Sequence, residues 1–413
     1  MPRGRHRFAL ALPLILSLAL SLVAAVAPQA GHAAGPAQPA DPTVDVLACE
    51  AIDFAACPAL LKVAAARKPA LATLATALRD PGATSAQRVK AAQALAVLDA
   101  RDHLDAFESA AAALATDPVL IDVRAAQARL GDARAAAPLR VLLASGDLRA
   151  KVLAAGSLGL LRDKAAVSTL TALLSDDLAP RLQAAAAHAL GLIGDATATD
   201  ALLAMAGRPK LYPPARAQAL AALMALDAAG AVVLAAQLVD HPSRDVGRAA
   251  LQVLAAAPTQ WTEPAVLFAL DTPGLRGEAA KVLTSMRLKA AGPLVLATAV
   301  RDDVTATERL WLLAALAELK PQGAGAVLVK RLKVAPPAEQ VQILRALPDL
   351  GDRTVVPDLV PLLRSPDTTV VSNVVYALEN LTGKNIGADE KAWRVHAGLD
   401  APPPAADAGS QRR

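Results

Sequence analysis

The chain has 413 residues, of which 54% are hydrophobic and only 2% aromatic, with 30 prolines and a formal charge of +4. Apolar content carried by alanine and leucine, small and unbranched helix formers, argues against β-sheet. Setting aside Arg3, Arg5 and Arg7 of the first segment leaves +1, and setting aside Arg412 and Arg413 of the tail leaves −1. The surplus of positive charge that a nucleic-acid-binding surface needs is therefore missing.

Residues 1–33 place those three arginines ahead of an apolar run from Phe8 to Ala27, and Gly31 and Ala33 supply small residues where a signal peptidase would cut. This reads as an export signal cleaved after Ala33 or Ala34, which puts the protein in the periplasm or the medium. An uncleaved anchor is the competing reading, because a run of about 20 apolar residues can span a bilayer. Residues 34–48 follow as a linker, with "GPAQPADPT" from Gly35 to Thr43 rich in proline and alanine.

Cys49 and Cys57 are the two cysteines of the chain. In an exported protein they read as one disulfide. On a single straight helix they would lie about 12 Å apart along the axis, out of bonding reach, so the bond requires a turn between them, and Pro58 suits the start of a helix just after it. Two buried thiols are a competing reading; a metal site lacks further ligands.

From about residue 58 onward one pattern returns with a period near 30, at about residues 84, 119, 148, 178, 211, 244, 274, 304, 337 and 368. Residues 178–206, "LAPRLQAAAAHALGLIGDATATDALLAMA", superpose without gaps on 148–177 and 337–367. Counting seven positions from the hinge residues Asp132, Asp163, Asp195, Asp227 and Asp352 reaches Leu139, Leu170, Leu202, Leu234 and Leu359. That spacing predicts an apolar stripe on a short helix after the hinge. Before it, Leu182, Ala186, Ala189, Leu190 and Ile193 form the stripe of a second helix, which Gly194 ends in the left-handed conformation. Each unit is a helical hairpin too small to be stable alone, and stacking buries the apolar faces of its neighbours. Around Pro258–Pro264 and Met286–Pro293 the Gly-Asp hinge is missing, and the unit at 119 has a shortened first helix.

With Asp122-Val123-Arg124, "AAAAHALGLIGD" and "VVPDLVPLLRSPD" repeated over roughly residues 58–385, the pattern resembles the HEAT repeat, in the short form also found in phycobilisome-lyase-like proteins. The resemblance implies an all-α fold, an α-solenoid winding as a right-handed superhelix of about ten hairpins, with residues 49–400 as one domain. Residues 381–393, from Leu381 through Trp393, are similar to a terminal cap seen on bacterial HEAT proteins, which makes Trp393 a lid on the last hairpin. The arginine ladder typical of such stacks is not consistent here. Residues 401–413 form a tail unable to bury a core.

No catalytic constellation emerges. Ser157 in "AGSLGL" lacks the first glycine of a nucleophile elbow and a preceding strand. Gly323 and Gly325 make half a dinucleotide fingerprint, and Lys384 lacks the residues of a phosphate loop. His103, His188, His241 and His396 are scattered one per repeat, without metal-ligand spacing. Asp176-Asp177 and Asp302-Asp303 lie at turns between units, where solvated aspartate is ordinary. Lys330, Arg331 and Lys333 sit on the second helix of a hairpin, the row that the resemblance puts on the concave side. They are the candidate partner-binding residues; a solvated face is the bland reading. The expectation is an exported, non-enzymatic scaffold without cofactor or metal, binding a protein or peptide on its concave surface. The lyase resemblance offers the alternative of a lyase-like or chaperone-like maturation factor.

Overall fold

The structure is a computed structural model that describes residues 42–66, 68–175 and 179–399. The export-signal reading and the tail 401–413 fall outside the described residues, as does Asp176-Asp177. Among the described residues there are 23 α-helices joined by short 3₁₀ turns, and no strand. From Ser85 to His396 they pair into hairpins stacked in two rows, an α-solenoid. No helix of the described residues is long and apolar enough to cross a membrane.

The hinge chemistry explains the pairing. First-row helices end on residues in the left-handed conformation: Gly131, Gly194, Gly351 and Gly383, but also Asp99, Arg162, Asp227, Arg287 and Lys320. After Gly131, Arg162, Gly194 and Gly351 stands an aspartate whose carboxylate accepts the backbone N–H two residues on. That bond satisfies an otherwise orphaned donor and opens the 3₁₀ turn leading into the second helix. At Met286–Pro293 Arg287 takes the left-handed place with φ 54°, but Leu288 stands where the aspartate stands elsewhere and no side chain caps the turn. Asp227, at φ 52°, stands where glycine stands elsewhere. Counting from it is thus one residue out of register, and Ala235 rather than Leu234 occupies the fully buried position. One first-row helix departs altogether: Arg244–Ala256 ends on Ala257 at φ −135°, and the chain runs through Pro258–Trp261 before the next helix begins.

Alanine and glycine set the spacing of the first row. A Cβ on Gly159 would lie 2.8 Å from the Cα of Ala189, and one on Gly191 would lie 2.8 Å from the Cα of Ala222. Successive first-row helices thus touch backbone to backbone, whereas successive second-row helices, such as Ala229–Leu238 and Thr262–Asp271, meet at few points. The tighter row is the inner side of a bent stack and the looser row the outer side.

A recurrent tie joins the rows. The side chains of Arg88, Gln183, Arg309 and Gln340, in the first turn of their first-row helices, donate to the main-chain carbonyls of Asp80, Leu174, Arg301 and Leu332 at distances of 2.8, 3.2, 2.7 and 3.1 Å. Arg216 reaches the carbonyls of Arg208 and Pro209 in the same way. Each tie satisfies the C-terminal carbonyls of the preceding second-row helix, or of the turn just after it. The ladder is irregular in sequence because glutamine does at some rungs what arginine does at others.

The ends are closed differently from each other. Residues 42–48, assigned to the linker by composition, form the helix Pro42–Ala48 instead, with Val46 wholly buried against the first helices of the array. Burial of that side chain outweighs the prolines around it, since proline is accepted at a helix start. Cys49 and Cys57 are joined by a disulfide across a turn, with their Cα atoms 5.7 Å apart. At the other end Trp393 is fully buried, and its indole N–H donates to the carbonyl of Gly387 at 2.8 Å.

The apolar interior forms two clusters, one from Val46 to Leu130 and one from Ile121 to Trp393. Where they meet lies a buried polar network. Gln127 donates to Glu108 at 2.6 Å and to Asp132 at 2.7 Å, and Arg124 donates to Glu108 at 2.6 Å. Burial pushes the Glu108 carboxyl up, but the hydrogen bonds from Arg124 and Gln127 outweigh it and hold it below the usual value. Asp132 is likewise pushed up by burial and held down by Arg134 and Gln127.

Candidate interaction surfaces

The tight spacing has a consequence for large side chains. Helices that approach through alanine and glycine leave no room for rings between them. Of the eight aromatic residues described, Phe107 and Trp393 are buried, whereas Phe54, Tyr212, Trp261, Phe268, Trp311 and Tyr376 are each more than two-fifths exposed. Exposed aromatic side chains are the ones most often found anchoring partners.

Two of them belong to the inner row. Trp311, on helix Ala306–Leu319, lies against the neighbouring helix Arg276–Ser285, where a Cβ on Gly277 would come within 3.1 Å of the ring. The ammonium of Lys281 sits 3.7 Å from the ring centroid, a cation–π contact, and pairs with Glu278 at 3.2 Å. Leu310 is exposed beside it. Two helices on, Tyr376 is exposed on Thr368–Thr382, and Arg345 from the helix between donates to Asn373 at 2.9 Å, one turn before the tyrosine. Trp311 with Lys281, and Tyr376 one turn beyond the Asn373 that Arg345 engages, thus place exposed aromatic side chains with cationic neighbours at two points along the inner row.

Lys330, Arg331 and Lys333 lie on or directly after Ala324–Leu332, in the looser row. They are therefore on the outer side, not the concave one. Nor do they form one open patch. Arg331 donates to Glu339 at 2.7 Å and also pairs with Asp302, and these partners raise its pKa further. Lys333 pairs with Asp358 at 2.9 Å; Lys330 is exposed. Glu339 is itself buried between Arg331 and Arg309, whose side chain is only 6% exposed and whose pKa burial lowers. Asp302 and Asp303 are likewise tied into ion pairs. Asp303, bonded by Arg301 and by the buried Arg276, has its carboxyl held at about 2.

Ser157 is buried in mid-helix, Gly323 is the left-handed start of a helix, and Lys384 follows the final hinge. His103, His188, His241 and His396 lie in separate units, and among the described residues no three His, Cys, Asp or Glu side chains converge as a metal site would require.

Residues 136–224 match the family model for HEAT repeats. No curated protein sequence matches the chain. Among solved structures, importin beta crystallised in ammonium sulfate is 14% identical with a TM-score of 0.51, over 88% of this chain and 54% of that one. Kap95p, from a structure with RanGDP, is 11% identical with a TM-score of 0.51, over 82% of this chain and 50% of that one. The chain thus spans about half the length of these two proteins, and the likeness is one of fold. The CpcE–CpcF phycocyanin lyase of Nostoc sp. PCC7120 is 23% identical over 55% of this chain and 94% of that one, with a TM-score of 0.34, too low to bear on function.

Proposed function

Starting from a chain that is a HEAT-repeat α-solenoid, we propose that it is an exported, non-enzymatic scaffold binding a protein or peptide partner on its inner face. The observation that carries this reading is the exposure of Trp311, beside Lys281, and of Tyr376 on inner-row helices, because packing gives the chain no reason to place rings there. Aromatic and arginine side chains on a rigid support lose little entropy on binding and supply most of the affinity of typical interfaces. Export is supported by the leader-like first 33 residues and by a structure in which both cysteines are oxidised together.

The test is a crosslinked pull-down of the mature protein from its own cell envelope and medium, read by mass spectrometry, beside a Trp311→Ala/Tyr376→Ala double variant. Both side chains are well exposed, so the variant keeps its fold. A partner enriched with the native protein and lost with the variant supports the reading. Turnover of a substrate in a broad hydrolase screen, or identical enrichment by both proteins, overturns it.

A further inference from the structure

The departure at Ala257 has a counterpart in space. Where the left-handed hinge is absent, the five residues Ala257–Trp261 separate the helices of the hairpin, and an open trough of about 560 Å³ lies between the second-row helices Ala229–Leu238 and Thr262–Asp271. Val233, Trp261, Pro264 and Phe268 line it, and the first, second and fourth are about half exposed. Among the described residues, two of the six exposed aromatic side chains thus share one groove, at the one hairpin whose hinge breaks the rule.

The charged side chain in the lining of this groove is a carboxylate, Asp240. Neither flanking helix carries a lysine or arginine; their charged residues are Glu263 and Asp271. Asp240 stands on the wall, exposed, and accepts no hydrogen bond and forms no ion pair among the described residues. The nearby bases are engaged or neutral: Arg301 neutralises Asp271, and burial holds the pKa of His241, the neighbour of Asp240, below its ordinary value. Arg248 pairs with Asp245, Arg301 pairs with Asp271 and Asp303, and Arg244 lies over Gly274. An apolar floor beside an exposed carboxylate, Asp240, suits a cation that brings carbon with it.

We propose that this groove is a second docking surface, which takes a segment of a protein partner presenting a lysine or arginine next to apolar side chains. The apolar side chains fill the space between Val233, Pro264 and Phe268, and the cation sits between the Asp240 carboxylate and the indole of Trp261. An open trough suits a chain segment better than a small molecule, which enclosed cavities hold. The surface is on the outer row, so its occupation is independent of the inner face.

The experiment is fluorescence anisotropy on the mature chain with three labelled dodecapeptides that alternate leucine with lysine, leucine with glutamate, and serine with lysine. The leucine–lysine peptide binds at least about tenfold more tightly than either of the others, a difference of about 1.4 kcal/mol. Trp261→Ala and Asp240→Asn each reduce its affinity about fivefold or more, with thermal melts unchanged because both side chains are exposed, whereas Trp311→Ala has no effect. Equal binding of the leucine–glutamate peptide, no loss in Trp261→Ala, or no binding at millimolar peptide overturns the inference. Since the inner-face pull-down uses other residues, its success alongside failure here removes only the groove, and the converse removes only the inner face.

Discussion

Adding a single methyl group to a first-row helix should have opposite effects at two glycines. Gly156 and Gly191 both lie inside inner-row helices, Leu148–Leu160 and Pro180–Ile193. Replacing glycine by alanine in a helix interior gains about 1 kcal/mol from backbone entropy alone. At Gly156 a Cβ meets nothing within 4 Å, so Gly156→Ala should stabilise by about 0.5–1 kcal/mol. At Gly191 the new carbon would lie 2.8 Å from the Cα of Ala222 and 3.0 Å from its Cβ. Backbone cannot swing aside as a side chain does, and overpacking of this kind costs about 1–3 kcal/mol, which leaves Gly191→Ala a net loss of about 1 kcal/mol. Equilibrium urea unfolding followed by circular dichroism, with hydrogen exchange of segments 180–193 and 213–225, reads both changes. If Gly191→Ala stabilises as much as Gly156→Ala, the first-row helices are not in backbone contact and the assignment of the inner side falls with it.

Glu339→Ala leaves the buried Arg309 without its carboxylate and frees Arg331; breaking a buried pair in this way costs about 3–5 kcal/mol, whereas Asp302→Asn, at an almost fully exposed aspartate, changes stability by less than about 0.5 kcal/mol. Urea melts of the two variants check the contrast, and a loss below 1 kcal/mol in Glu339→Ala contradicts the network. Glu108 and Asp132 titrate below their ordinary values in the folded chain, so their contribution is complete above about pH 4 to 5 and is lost as acid protonates them. Hydrogen-exchange protection of residues 104–145 should therefore fall between about pH 5 and 3, and Glu108→Gln should lower stability at pH 7 while making that fall shallower; an unchanged slope refutes the assignment. Reduction of the Cys49–Cys57 bond should cost the N-terminal cap about 2–3 kcal/mol by the chain-entropy estimate, read as lost protection in residues 42–79 with segments beyond residue 148 unaffected.

The repeat was legible because its signal is local. Leu139, Leu170, Leu202 and Leu359 recur at a fixed distance from an aspartate, and all four are fully buried. Where packing overrode local preference the sequence was silent. Arg162, Asp227, Arg287 and Lys320 adopt the left-handed conformation that glycine marks elsewhere, and only the surrounding stack holds them in it. The helix Pro42–Ala48 was hidden for the same reason, since a single buried valine in a proline-rich stretch gives no periodicity. The basic run at Lys330 misled because the groups that engage it, Asp302, Glu339 and Asp358, lie in other helices or turns. The exposed rings could have been suspected from composition: a chain packed on alanine has little interior use for tryptophan. Their grouping on two surfaces depends on how the hairpins stack, which no local window contains.

The most direct test of the scaffold reading places a photo-crosslinking amino acid at position 376 on the inner face and, separately, at position 141, where Val141 is exposed on the outer row. The two proteins are irradiated in intact cells, and the adducts are identified by mass spectrometry. The account predicts one dominant protein adduct from position 376, absent at 141 and abolished by Trp311→Ala. Equal adducts from both positions, or none from 376, contradict it.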